Sequence, residues 1–165
     1  MDAFLDIETT GLSPYHDQIT VVGIATGEGR HPRLTQLVGE EITALNIKEA
    51  MQGTQTLYTY NGGRFDLPFI LSRMGVDLEL AFRHHDLMYD CWAKNWYGGL
   101  KAVERHLGIR RKLPDINGSE AVRLWHRYQD TDDLDALHLL LEYNKEDVLN
   151  LMALRAHLAN KRHGR

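Results

Sequence analysis

Four carboxylates fall inside or beside the most apolar stretches of this chain, and they constrain its fold more than any other feature. Asp6 and Glu8 lie in Phe4-Leu5-Asp6-Ile7-Glu8-Thr9-Thr10-Gly11-Leu12, Asp66 closes Asn61-Gly62-Gly63-Arg64-Phe65-Asp66, and Asp147 ends Tyr143-Asn144-Lys145-Glu146-Asp147. The first segment is strand-like, so Asp6 and Glu8 project to one face while Leu5 and Ile7 face the other. In the third, Tyr143 and Asp147 stand one helical turn apart on a common face that adjoins an apolar stripe. A carboxylate held there is costly unless it is paired or metal-bound. Adjacent carboxylates repel without a cation, and hard divalent ions such as Mg2+ or Mn2+ prefer oxygen ligands. A lone Asp-x-Glu is more often the solvated end of a strand. The three segments together read as a metal cup assembled from distant parts of one sheet-and-helix fold.

The composition agrees with such a fold. With 165 residues, 43% of them hydrophobic, the chain can bury a real core, and residues 1–165 are expected to form one domain. No apolar run approaches the roughly 18 residues of a membrane span, and Met1-Asp2 leads into a core-like stretch without a signal-peptide layout. A soluble, cytoplasmic protein with no membrane partner is expected. The single cysteine, Cys91, excludes an internal disulfide and a cysteine-based zinc cluster, and reads as a small buried hydrophobe. The net charge of −4 comes from 19 Lys and Arg against 23 Asp and Glu, so setting Asp6, Glu8, Asp66 and Asp147 aside leaves the rest balanced. Two divalent cations would neutralise those four. No global basic excess marks a strong duplex binder.

Along the chain, residues 3–8 and 18–26 are β-branched and apolar, and Gly11 to Pro14 between them carries turn chemistry, which predicts a hairpin. A third strand is expected near 32–38, a helix over 41–51, and a fourth strand over 54–60. Phe65, Phe69, Ile70 and Met74 recur at helical spacing with Gly75 as a stop, placing Asp66 at a helix start. A further strand is expected around 80–86, then helices near 88–96, 100–107 and 119–128. The last helix is the clearest element, with Leu137, Leu140, Leu141, Val148, Leu151, Leu154 and Leu158 forming one stripe. The basic tail 161–165 is expected to be frayed. This order predicts an α/β domain with a mixed sheet and helices on its faces.

The three motifs resemble the DnaQ-like 3'-to-5' exonucleases, the DEDD nucleases of ribonuclease H-like fold. The likeness spans nearly the whole chain. The family's first motif matches Asp6 and Glu8, its second Asn61, Phe65 and Asp66. Its third motif carries either a His five residues before the last Asp, where this chain has Glu142, or a Tyr four residues before it, here Tyr143. The chain is therefore similar to the tyrosine branch. The segments Asp86-Leu87-Met88 and Gly99-Leu100-Lys101-Ala102-Val103-Glu104-Arg105-His106-Leu107-Gly108-Ile109, with Tyr143-Asn144, further resemble the YprB-type subfamily.

This resemblance implies a mixed five-stranded sheet in the order 3-2-1-4-5 with strand 2 antiparallel. It also implies two Mg2+ or Mn2+ ions, with Asp6 bridging them, Glu8 and Asp147 completing one site and Asp66 serving the other. Tyr143 would position the attacking water. Thr9, Thr10 and Leu12 would hold the terminal nucleotide, and Asn61 and Phe65 the neighbouring one. Single-stranded DNA or RNA 3' ends would be the substrate, nucleoside 5'-monophosphates the product, and a protein partner in DNA or RNA processing is possible. One departure is that only Met1 to Ala3 precede the first motif strand, so that edge is expected to be short.

Other residues invite weaker readings. His84 and His85 are adjacent on an expected strand, point to opposite faces and so cannot ligate one metal from it. Trp92, Trp96 and Tyr97 suggest a stacking platform, yet Trp92 and Trp96 at helical spacing more often belong to a core. Lys101 and Arg105 suggest phosphate contacts, against a solvated helix face. Asp6-Ile7-Glu8-Thr9-Thr10 superficially resembles a haloacid-dehalogenase-like phosphatase loop, but the second carboxylate is Glu where Asp is needed, and the other two motifs stay unexplained. A catalytically silent nucleic-acid-binding module on the same fold is the remaining alternative.

Overall fold

The computed structural model describes residues 1–27 and 32–160, so the expected frayed tail at 161–165 lies outside the described residues. Five strands, β1 (Asp2–Thr9), β2 (Ile19–Thr26), β3 (Arg33–Val38), β4 (Thr56–Thr59) and β5 (Arg83–Asp86), form one sheet in the order β3-β2-β1-β4-β5. β2 runs antiparallel to β1 and β3, while β4 and β5 run parallel to β1. This is the ribonuclease H-like arrangement expected from the sequence. Among the described residues, seven α-helices flank it: α1 (Ala44–Ala50), α2 (Asp66–Met74), α3 (Leu78–Ala81), α4 (Leu87–Trp92), α5 (Leu100–Leu107), α6 (Gly118–Thr131) and α7 (Leu134–Asn160).

The alternation within β1 sorts its side chains into two layers. Ala3, Leu5 and Ile7 pack with Ile47, Phe69 and Ile70 beneath α1 and α2, whereas Phe4 packs with Val148, Leu151 and Leu154 of α7. Asp6 and Glu8 share the parity of Phe4 and therefore turn toward α7. Leu140, Leu151 and Leu154 of that helix are fully buried. Each contributes roughly 1.5–3 kcal/mol to holding it on the sheet.

One expected strand needs correction. Residues 80–86 do not all extend: the Asp77 side chain accepts from the Leu80 amide, capping the short helix α3, and the strand begins only at Arg83. The cap offers the backbone a local hydrogen bond that holds Leu80 and Ala81 in a helical turn, and the chain becomes extended from Phe82. The expected helix at 41–51 likewise begins later, because Thr43 caps α1 by accepting from the Asn46 amide.

α7 is seated closely enough that one glycine is required. Gly23 lies opposite Asp6 in the β1–β2 register, and a Cβ there would fall 2.2 Å from Asn144 Oδ1 and 2.8 Å from Val148 Cγ2. Gly23→Ala is expected to push α7 from the sheet and lower stability by about 1–3 kcal/mol. Urea denaturation would check this, and an unchanged midpoint would mean that α7 is not held this tightly.

Candidate active site

The site forms where β4 stops. β4 pairs with β1 only from Asp2 to Phe4, so β1 runs on past its neighbour and leaves its last residues facing a cavity. After β4 the chain turns sharply through Asn61, which adopts a positive φ of 62°, and the loop is held by Asp86. That buried carboxylate accepts from the amides of Asn61 (2.8 Å), Gly63 (3.2 Å) and Met88 (3.1 Å). The loop delivers Asp66 to the first turn of α2, where its Oδ1 accepts from the Ile7 amide at 3.0 Å. Asp66 thus takes a strand amide lying between Asp6 and Glu8.

Asp6, Glu8 and Asp147 converge, with one carboxylate oxygen from each lying within 4.8 Å of the others. Glu8 and Asp147 are buried, and Glu8 Oε1 is fully enclosed without a hydrogen-bond partner among the described residues. A buried, unpaired acceptor beside two more carboxylates is the arrangement a hard divalent cation satisfies. Asp66 stands outside this trio but lines the same cavity, as a candidate for a second cation. The surrounding cavity of about 490 Å3 is also lined by Thr9, Leu12, Asn61, Phe65 and Tyr143, and by Ser119 and Val122 of α6. Thr10 is not among its walls: its hydroxyl bonds Asp17 and the Gln18 amide, shaping the loop instead. The Thr9 hydroxyl donates to the Gly11 carbonyl at 2.6 Å, and Leu12 stands 83% exposed at the rim.

The electrostatics follow from burial and crowding. Burial first, then the repulsion of Asp147, Glu8 and Asp66, holds Asp6 well above the ordinary carboxylate range. Burial likewise raises Glu8, and pushes Asp66 up to about 7 despite its bond from Ile7. Tyr143 is raised too, by burial and by Asp147, Glu8 and Asp6, so its phenol keeps its proton at neutral pH.

Several partners of this cluster were given no role by the three sequence motifs, and Arg111, Glu104, Asn150 and Gln36 lie outside them. Arg111 forms an ion pair with Asp147 and grips Glu104 through Nε (2.5 Å) and Nη2 (3.1 Å). Asn150 adds a 2.9 Å bond to Glu104. The same loop is anchored to α7 by Glu146, which accepts from the amides of Lys112 and Leu113. Asn144 donates to the Asp6 carbonyl (3.2 Å) and to Asp6 Oδ2 (3.1 Å), and is oriented by Gln36, 3.0 Å from its Oδ1. Lys101 is not on a purely solvated face: its Nζ lies 5.0 Å from the Tyr143 ring centroid and it borders the same carboxylates. Glu104 was discoverable, because it stands on the apolar stripe of Leu100, Val103 and Leu107, where a carboxylate needs a buried partner.

His84 and His85 diverge as the alternation requires. His84 bonds Thr59 Oγ1 at 2.8 Å, and His85 bonds Asp90 at 2.5 Å. Cys91 is fully buried. Among the described residues no helix is long and apolar enough to cross a membrane.

Comparison with known proteins places this geometry. The profile of the RNase_H superfamily matches residues 3–159, so the chain belongs to that superfamily. It is 27% identical over 159 residues to an uncharacterized protein of Methanocaldococcus jannaschii, covering 88% of each chain. Three solved structures share the fold. A family B DNA polymerase from Pyrobaculum calidifontis superposes with a TM-score of 0.70 at 17% identity over 96% of this chain, which spans only 24% of the polymerase. Brucella melitensis NrnC with bound Mg2+ gives 0.64 at 22% identity, over 99% of this chain and 75% of NrnC. The zinc-bound Escherichia coli ExoI–ssDNA complex gives 0.52 at 18%, over 99% and 41%.

Two outcomes follow from the charges. The raised carboxylates bind more protons in the folded than in the unfolded chain between the ordinary carboxylate range near pH 4 and about pH 7. Stability of the metal-free protein is therefore expected to fall as pH rises through that window, and Mn2+ added at pH 7.5 to restore it. Thermal melts from pH 5 to 8 would show this, and a metal-free melt that rises toward neutral pH would contradict it. Arg111→Met would strand Glu104 and Asp147 as buried, uncompensated charges, a loss of about 3–5 kcal/mol. In urea titrations, adding Glu104→Gln to that variant is expected to recover part of the loss.

Proposed function

We propose that this RNase_H-superfamily chain is a metal-dependent 3'-to-5' exonuclease of the tyrosine branch of DnaQ-like enzymes, akin to the YprB-type group. It would remove nucleoside 5'-monophosphates one at a time from single strands, DNA first and RNA close behind. The observation that carries this reading is the convergence of Asp6, Glu8 and Asp147 around the orphaned Glu8 Oε1, at the floor of a cavity large enough for a nucleotide. NrnC of the same fold was solved with Mg2+ and ExoI with single-stranded DNA, which supports both halves of the proposal.

Asp6, Glu8 and Asp147 would hold one divalent cation, and Asp66 with Asp6 a second. Such ions supply Lewis-acid activation of water and charge stabilisation of an in-line phosphoryl displacement. Tyr143, protonated and one turn from Asp147, orients the attacking water by donating to it. Arg111 neutralises one side of Asp147, and Asn144 fixes the rotamer of Asp6, so both carboxylates keep a defined direction. Lys101, beside Tyr143, offers a positive charge to the scissile phosphate. Leu12 and Phe65 wall the cavity with apolar surface against which any base can stack, so no base preference is expected.

A silent binding module is the weaker reading. Four crowded carboxylates raised above their ordinary range destabilise the empty fold, and nucleic-acid binding alone gives no reason to keep them.

Digestion of 5'-labelled single-stranded DNA and matched RNA with Mn2+, Mg2+ or EDTA is expected to give a metal-dependent ladder shortening from the 3' end. Asp6→Asn and Asp147→Asn are each expected to lower kcat by on the order of 10^2 to 10^4 with the fold intact. Undiminished cleavage in either variant would overturn the assignment of the site.

A further inference from the structure

Outside the cavity, the exposed Arg64 lies across two aromatic rings of α4. Its Cζ stands 5.9 Å from the Tyr89 ring centroid and 5.6 Å from that of Trp92. The two rings meet edge to face, 5.4 Å apart at 85°. Tyr89 is 48% exposed, and Trp92 is half-buried rather than part of the core. On a monomeric fold, a cation laid over solvent-facing rings is a weak stabiliser, worth about 0.5–1 kcal/mol. The same three groups suit a nucleotide, whose base stacks on rings or guanidinium and whose phosphate needs a cation.

The topology puts this patch in line with the cavity. β1, β4 and β5 are parallel, so their C-terminal ends share one edge of the sheet. β1 ends in the carboxylates, β4 leads into the loop carrying Asn61, Arg64 and Phe65, and β5 leads into α4. Two strand spacings, about 10 Å, therefore separate the line of β1 from that of β5. Arg64 is next in sequence to Phe65, a wall of the cavity, and its guanidinium reaches over the rings. The carboxylate of Asp86 ties the two pieces together, since it accepts from Asn61 and Gly63 in the loop and from Met88 at the start of α4. The cavity is acidic, so the first cation available to a strand leaving it on this side is Arg64.

Resting on the exonuclease reading, we infer that Arg64, Tyr89 and Trp92 form a second subsite that stacks and neutralises a nucleotide upstream of the one being removed. The site accepts single-stranded nucleic acid without base preference and gives the protein its grip on strands longer than a dinucleotide. Its residues contact none of the reacting atoms.

The test is a length series, from dinucleotide to octamer, digested by the wild type, Arg64→Gln, Tyr89→Ala and Tyr89→Phe. Arg64→Gln and Tyr89→Ala are expected to raise KM for the octamer by about 5- to 100-fold, the range of one lost stacking contact. They leave the dinucleotide within about twofold, and Tyr89→Phe, which keeps the ring, retains the wild-type length dependence. Equal losses on dinucleotide and octamer, or no loss on either, would overturn the subsite. Anisotropy of a fluorescein-labelled octamer, with Ca2+ replacing the catalytic metal, tests the patch without turnover. Weaker binding by both variants supports it even if the chain does not cut, and unchanged binding overturns it.

Discussion

Repulsion among Asp6, Glu8, Asp66 and Asp147 is the constraint around which this molecule is arranged. Left to themselves, four carboxylates in a half-buried cup would drive α7 and α2 away from β1. Three devices oppose this. Asp66 is anchored by the Ile7 amide, Asp147 by Arg111, and Asp6 by Asn144. Of the four, Glu8 is the one with a fully buried oxygen that nothing in the described protein satisfies. Among the described residues, only Asp147 meets a charge-bearing partner; Asp6 and Asp66 are held by neutral amide donors that fix their direction and leave their charge uncancelled.

The anchors reach far from the site. Arg111 can neutralise Asp147 only because Glu104 holds the other side of its guanidinium, and Asn150 in turn orients Glu104. Asn144 can reach Asp6 only because Gly23 lacks a Cβ and Gln36, on β3, directs its amide. Residues on β2, β3, α5 and the loop before α6 thus decide where carboxylates on β1 and α7 point. A substitution at any of them acts on the site without touching it. Fold and site share one hydrogen-bonded frame, so stability and metal affinity are coupled by construction.

What was legible in the sequence follows the range of the forces involved. Period-2 alternation in Phe4 to Glu8 is local, and it correctly sent Asp6 and Glu8 to one face. The stripe of α7 is local as well, and it put Tyr143 beside Asp147. Strand order and the ribonuclease H-like sheet came from the resemblance that those motifs support. Local capping by Asp77, by contrast, turned the expected strand at 80–86 partly into α3, a contest between two short-range preferences that apolar pattern alone does not decide. Arg111 was missed, Asn144 stood in its motif without a role, and Lys101 was set against a solvated face, because their partners lie far away in sequence. Only Glu104 carried a warning, a charge on an apolar stripe, and even that says a partner exists without naming it.

Charge and aromatic surface are separated along the sheet edge for a related reason. Phosphates must approach carboxylates that repel them, so attraction has to come from ions held in the cup and from cations placed just outside it. Lys101 stands over the Tyr143 ring, and Arg64 stands on the loop next to Phe65, whereas the buried Arg111 is taken up by Asp147 and Glu104. A net charge of −4 is then no obstacle to binding nucleic acid, because the sign that matters is local and changes between the floor of the cavity and its rim. Cations moved onto the floor would compete with the metal, and cations removed from the rim would leave the strand only the apolar walls to hold it.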